Sequence, residues 1–147
     1  MYKNDIIIIE GEWTDMLEIV DRNIRITRGD VLPITVSANN IKDGKDYEFQ
    51  VDDIIRFKIM QANNVNNVFL KKDFKIEEAC FEKDIEMTSS EMKIGELKSK
   101  PVDFWYEIEV NPDTERAMTI EGYRKDEGPA IITILPEGGD SSKGGEA

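Results

Sequence analysis

Apolar side chains recur at every second residue through most of this 147-residue chain. That rhythm constrains the fold more than any other feature, because an extended strand points successive side chains to opposite faces whereas a helix needs a 3.6-residue period. In "IRITRGDVLPITV" the even positions Ile24, Ile26, Leu32, Ile34 and Val36 are apolar. In "DYEFQVDDIIRFKIM" the odd positions Tyr47, Phe49, Val51, Ile55, Phe57 and Ile59 are apolar. "NVFLKKDFKI" presents Val68, Leu70, Phe74 and Ile76, interrupted by Lys72, and "CFEKDIEM" presents Phe81, Ile85 and Met87. "DFWYEIEV" alternates cleanly, with Phe104, Tyr106, Ile108 and Val110 against Asp103, Glu107 and Glu109. These runs predict strands with one packed and one wetted face.

Turn signals separate the runs at spacings typical of antiparallel sheets. "KDGK" at Lys42 to Lys45 is a hairpin candidate, since Asp-Gly readily takes the positive φ of a type I′ turn. "ANNVNN" at Ala62 to Asn67 predicts a longer polar loop. "NPDTER" at Asn111 to Arg116 leads into "AMTIEGY", and "KDEGP" at Lys125 to Pro129 precedes the last apolar run, "AIITIL". Helix signals are confined to "TSSEMKIG", where Thr88 stands three residues before Glu91 at capping-box spacing and Gly95 is placed to end the turn; one helical turn is expected there. The final "PEGGDSSKGGEA" is rich in Gly and Ser and has no apolar residue besides Ala147, so it predicts a flexible tail.

The expected fold is all-β, an antiparallel β-sandwich of about eight or nine strands with one short helical turn; a small barrel is the alternative closure. A single core over residues 23–137 follows an N-terminal arm or strand at 1–22 and precedes the flexible acidic tail at 138–147. Within the arm, Ile6, Ile7, Ile8 and Ile9 form a run suited to a strand buried on both faces, against the chain's own sheet or another subunit.

Composition removes several function classes. The formal charge of −12, from 31 acids against 19 bases, repels phosphate backbones and anionic lipid heads, so neither nucleic acid nor membrane is an expected partner. The chain has no histidine, which removes Ser-His, Cys-His and His-metal designs. Cys80 is the only cysteine, so one chain can form neither a disulfide nor a thiolate zinc cluster. The start "MYKNDIIIIEGEW" lacks a basic leader, and its four isoleucines fall far short of the roughly 20 apolar residues of a membrane span. No export signal is expected.

Candidate sites are weighed on the same terms. Arg28-Gly29-Asp30 spells an adhesion tripeptide, but the apolar parity on either side of it continues unbroken. It is read as a bend, bulge or continuous passage within one edge of the sheet, with Gly29 relieving the backbone. Asp43, Asp46, Asp52, Asp53, Asp113 and Glu115 lie at or near turns without the spacing of a calcium loop, so they are read as solvated turn residues and no metal or cofactor is expected. Cys80 has no histidine to activate it, and no catalytic residue is assigned. Trp105 is out of parity with Phe104 and Tyr106 and belongs to the wetter face. It is an interface candidate, as are Trp13 and the isoleucines 6–9 of the arm.

One resemblance adds to this. "ITRGDVLPITV", "DGKDYEFQVDDIIRFKI", "FLKKDF", "DIEMTSSEMKIG", "FWYEIEV", "TIEGY" and "IITILPEGGD" follow in an order that resembles small tail-associated proteins of phages and prophages of Gram-positive bacteria. The pattern, over roughly Asn23 to Asp140, is similar to the N-terminal domain of baseplate upper proteins. The resemblance implies an immunoglobulin-like sandwich in a non-enzymatic structural component of a phage tail, baseplate or related prophage particle. Such a protein is an adaptor or fibre-attachment subunit in the virion, made in the bacterial cytoplasm, with other tail proteins and further copies of itself as partners. Its motifs are framework residues, so no site is carried over. The chain departs from that family in its extra segment Met1 to Arg22 and in ending on a Gly-rich tail instead of a helical or fibrous region. The alternatives are a carbohydrate-binding module, a virion surface decoration protein, and a carboxylate hydrolase with two acids facing across a cleft.

Overall fold

A computed structural model of the protein describes residues 7–8, 18–20, 22–38, 45–96 and 99–137. Its strands are β1 (Ile7–Ile8), β2 (Glu18–Val20), β3 (Asn23–Thr27), β4 (Leu32–Val36), β5 (Ile54–Gln61), β6 (Asn64–Lys75), β7 (Lys83–Met87), β8 (Val102–Val110), β9 (Met118–Glu121) and β10 (Ala130–Leu135). Eight of the ten have four residues or more; β1 and β2 are the short additions contributed by the N-terminal segment. β1 pairs with β4 through Ile7 opposite Val36, and β2 pairs with β3. Ile6, Ile9, Trp13, the Lys42–Gly44 part of the turn candidate and the tail 138–147 lie outside the described residues.

The strands form two sheets. The larger runs β2-β3-β10-β8-β5-β6, with β9 also on β8, and the smaller runs β1-β4-β7. The pairing is not wholly antiparallel: β3 and β10 run parallel, with Ile24 beside Ile132 and Ile26 beside Ile134. On its other edge β10 is antiparallel to β8, so the last strand bridges β3 to the centre of the sheet.

The core fills the space between the sheets. From the large sheet come Ile24 and Ile26, the β8 series Phe104, Tyr106, Ile108 and Val110, the β5 series Ile55, Phe57 and Ile59, and Ile132 and Ile134. Leu32, Ile34, Val36, Ile85 and Met87 face them from the small sheet. Cross-strand rows make this layer continuous, for example Phe57 beside Ile108, with the Phe57 and Tyr106 rings 5.7 Å apart. Burying such side chains contributes on the order of 1.5–3 kcal/mol each relative to exposure.

Three expectations need correction. No helix occurs among the described residues. The capping-box contacts are made, Thr88 N–H donating to Glu91 Oε1 (2.8 Å) and Glu91 N–H to Thr88 Oγ1 (3.3 Å), but they close turns only. The winding goes no further: Gly95 stands at φ 70°, outside helical backbone, and the segment is tied to the β3–β4 corner, Gly29 N–H donating to Met92 O and the Arg28 guanidinium to the carbonyls of Ile94 (3.3 Å) and Gly95 (3.1 Å). The polar loop expected at 62–67 is instead a two-residue turn, Ala62-Asn63, with Asn63 at φ 64° and β6 beginning at Asn64. Finally, the run from Tyr47 to Ile59 is not one strand. Val51 is exposed, and Asp52 sits at φ 75° in a turn closed by Asp53 N–H to Gln50 O (3.0 Å). Positive φ at the third residue of such a turn is type II geometry.

β6 also breaks its own parity. Leu70 lies opposite Ile59 but Val68 lies opposite Met60, so Phe69 is the extra residue of a bulge. Phe69 packs edge-on against Phe104 at 5.1 Å, and Val68 is displaced to the outer face. A slip of one residue exchanges faces, which is why the sequence parity puts Val68 inside and the fold does not.

Candidate functional site

Arg28-Gly29-Asp30 is the corner at which the chain passes from β3 in the large sheet to β4 in the small one, so it is a bend as expected but between sheets and not within one edge. Asp30 N–H bonds Thr27 O (3.0 Å) and Gly29 stands at φ 88°. Gly29 therefore holds the turn position that demands positive φ. A Cβ there would meet nothing closer than 3.7 Å. Conformation and not space selects glycine. The Arg28 guanidinium is turned onto the protein: it donates to Glu137 Oε1 (2.6 Å) as well as to the carbonyls of the 93–95 turn. An arginine held this way is a structural clasp, not a displayed ligand.

The acids are likewise dispersed into separate jobs. Asp53 is buried and accepts from Tyr47 Oη (3.0 Å), Gln50 N–H (2.9 Å) and Asn111 Nδ2 (3.0 Å). Asp52 pairs with Lys75 (3.3 Å) and Asp113 with Arg56 (3.0 Å). Arg56 also grips Asp73 through two bonds of 2.7 and 3.0 Å, which holds the Asp73 carboxyl below its usual value. Such a forked, charge-assisted pair is among the stronger polar contacts a surface offers. Among the described residues no three His, Cys, Asp or Glu side chains come together in a way that could hold a metal ion. Cys80 is half-buried in an isolated bridge with Phe49, and burial pushes its thiol above the ordinary range. That direction leads away from thiolate reactivity.

A second polar cluster is invisible in the sequence pattern. Arg22 and Glu121 are both buried, joined at 3.0 Å, and Arg22 also donates to the carbonyls of Gly122 and Gly128. Arg124 completes the Glu121 carboxylate at 2.8 Å, and Tyr106 Oη donates to Arg22 O at 2.5 Å. Burial raises the Tyr106 phenol, with the Glu121 charge adding to the shift. The partners come from distant parts of the chain, so only the fold shows that they meet.

Two surfaces remain for contacts. On the outer face of the large sheet, Trp105 lies in a row with Met60 and Ile131, and its ring is 5.9 Å from that of Tyr123, a residue 66% exposed. Trp105 is therefore half-buried on the wetter face, flanked by the ion pairs Lys58–Glu107 (3.2 Å) and Lys58–Glu109 (3.6 Å). At one end of the sandwich, an open cleft of about 480 Å³ lies between the β5–β6 hairpin, the turn at Gly95, the start of β8 and the end of β10. Phe69, Ile94, Val102, Phe104 and Ile134 give it an apolar floor. Gln61, Asn67, Glu96, Lys100 and Asp103 line its mouth, so two carboxylates share the cleft; Asp103 already accepts a 2.6 Å bond from the Thr133 hydroxyl. The bulge at Phe69 could not be read from the sequence, and with it the cleft was hidden.

Comparison with family models, with curated proteins and with solved structures found no match to this chain.

Proposed function

We propose that this protein is a non-enzymatic structural component of a phage tail, baseplate or related prophage particle, an adaptor or fibre-attachment subunit that works through protein–protein contacts. The observation that carries this reading is the outer face of the large sheet, where the half-buried Trp105 packs beside the exposed Tyr123 next to the Lys58 ion pairs with Glu107 and Glu109. Aromatic residues ringed by polar groups are the usual anchors of protein interfaces. The two-sheet architecture agrees with the immunoglobulin-like sandwich that the resemblance implies. The virion is then its location, and other tail proteins and further copies are its partners. Co-expression with the tail and baseplate proteins encoded beside its gene tests this: the expected result is a co-purifying complex that Trp105→Ala with Tyr123→Ala abolishes while the variant stays folded. A complex unaffected by those changes, or none at all, would falsify the reading.

The same aromatic pair supports one other reading, carbohydrate recognition by a binding module or virion decoration protein, since sugar faces stack on exposed rings. A glycan array separates the two: retained glycans that the double variant loses would favour the sugar reading.

A further inference from the structure

We propose that the end cleft is a binding site for a small amphipathic organic anion, one with an apolar ring or branched aliphatic body and a single carboxylate or sulfonate. The cleft measures about 480 Å³. Sites for small organic ligands run from roughly 300 to roughly 1,000 Å³, so the space is sufficient. Its floor is made by core side chains that stop short of complete closure: Ile94 keeps 4%, Ile134 5% and Phe104 7% of its surface, whereas the core residues further in are at or near zero. The wall is built by the β6 bulge, which stands Phe69 edge-on to Phe104 and leaves Phe69 41% exposed. Opposite it, Gly95 at φ 70° brings the turn backbone so near that a Cβ would touch the Phe104 ring at 3.4 Å. Two aromatic rings therefore bound an apolar slot that no side chain of the described residues fills.

Charge at the mouth decides the class of ligand. Of its two cations, Arg28 is committed to Glu137 and to the carbonyls of the 93–95 turn. Lys100 is exposed and makes no ion pair among the described residues, so it is the cation free to meet an incoming anion. Of the acids, Asp103 is engaged by Thr133, and Glu96 is exposed, so that solvent and salt screen its charge. The side-chain amides of Gln61 and Asn67, themselves bonded at 2.8 Å, supply hydrogen-bonding groups beside the same opening. This site does not rest on the tail reading: neither Trp105 nor Tyr123 lines it, and it stands or falls on its own.

The test uses two dyes of similar apolar body on the full chain: anionic 1-anilinonaphthalene-8-sulfonate and neutral N-phenyl-1-naphthylamine. Saturable binding of both at one site per chain is expected, the anion tighter. Filling the slot by Ala62→Trp, or independently by Val102→Phe, should weaken both by about tenfold or more, since the apolar body loses its place. Lys100→Glu should weaken the anionic dye alone, by about fivefold, the scale of an exposed ion pair. Circular dichroism establishes that each variant remains folded. Absence of saturable binding, binding indifferent to both filling variants, or an anionic preference untouched by Lys100→Glu would each overturn the proposal.

Discussion

β8 and β6 both pair with β5 and both carry apolar residues at every second position, yet only β8 uses that pattern fully. In β8 each inward residue, Phe104, Tyr106, Ile108 and Val110, is buried, and strands cover it on both edges. β6 is the last strand of its sheet; it is 12 residues long and exposed over its first half, with Val65, Val68 and Phe69 all accessible. On either side of Phe57, where β8 has Ile108 inside, β6 has Lys72. That ammonium bonds Glu91 Oε1 (2.8 Å) and the Glu86 carbonyl of β7 (2.9 Å), and so joins the open edges of the two sheets. An inward-facing lysine, outward lysines at 71 and 75, and a bulge are the standard means by which an edge strand resists pairing with another chain. The same period therefore encodes a packed centre in one strand and a guarded rim in the other, and sheet position makes the difference.

The comparison can be broken most severely at the centre. Tyr106 packs on Phe57 and donates to the Arg22 carbonyl. Tyr106→Ala should cost about 3–5 kcal/mol in denaturant unfolding, because it opens a cavity and strips that carbonyl of its donor. Breaking the neighbouring buried pair by Glu121→Gln should cost about 3 kcal/mol, at the lower end for such pairs. The loss is limited because the Gly122 and Gly128 carbonyls still hold Arg22. If that variant unfolds like the parent, the cluster is not structural.

Smaller effects sharpen the contrast. Tyr106→Phe keeps the ring and removes only the hydroxyl that bonds Arg22 O. At neutral pH it should cost about 1 kcal/mol, the net worth of one hydrogen bond. It should also change the alkaline limb. The folded phenol titrates above its ordinary value of 10, so its contribution is complete below that pH and is lost as pH rises through the folded value. The unfolding midpoint of the parent should therefore fall on the alkaline side, and that of Tyr106→Phe should fall less. At the rim, Lys72→Ala should cost about 1 kcal/mol or less. The Glu91 carboxyl, which the Lys72 ammonium chiefly holds below its ordinary 4.5, contributes stability above that value that is lost as pH falls through the depressed one. Removing Lys72 should therefore make the acid side of the stability profile shallower. Lys72→Leu, by contrast, should leave the monomer's stability nearly unchanged and promote concentration-dependent association, measurable by sedimentation velocity; a strictly monomeric Lys72→Leu protein would show that the rim needs no guard.

The alternation alone was enough to specify β3, β4, β7 and β8 and the side each one buries, because Ile24, Ile34, Ile85 and Ile108 have no other way to leave water together; for β10 the sequence showed only an apolar run. It also showed Trp105 to be out of step with its neighbours. It could not specify which strands pair: the parallel contact of β3 with β10 joins opposite ends of the folded chain, and nothing local records it. The Arg22–Glu121 pair, the clasp of Arg28 on the 93–95 turn and the end cleft depend on that same long-range meeting of elements. The capping box at Thr88 shows the limit from the other side, since its local bonds form as its residues dictate and no helix follows, the segment being tied instead to the β3–β4 corner through Gly29 and Arg28. Local period fixes what each segment must hide, whereas partners supplied by chain closure fix where it hides it and which polar groups are left to act.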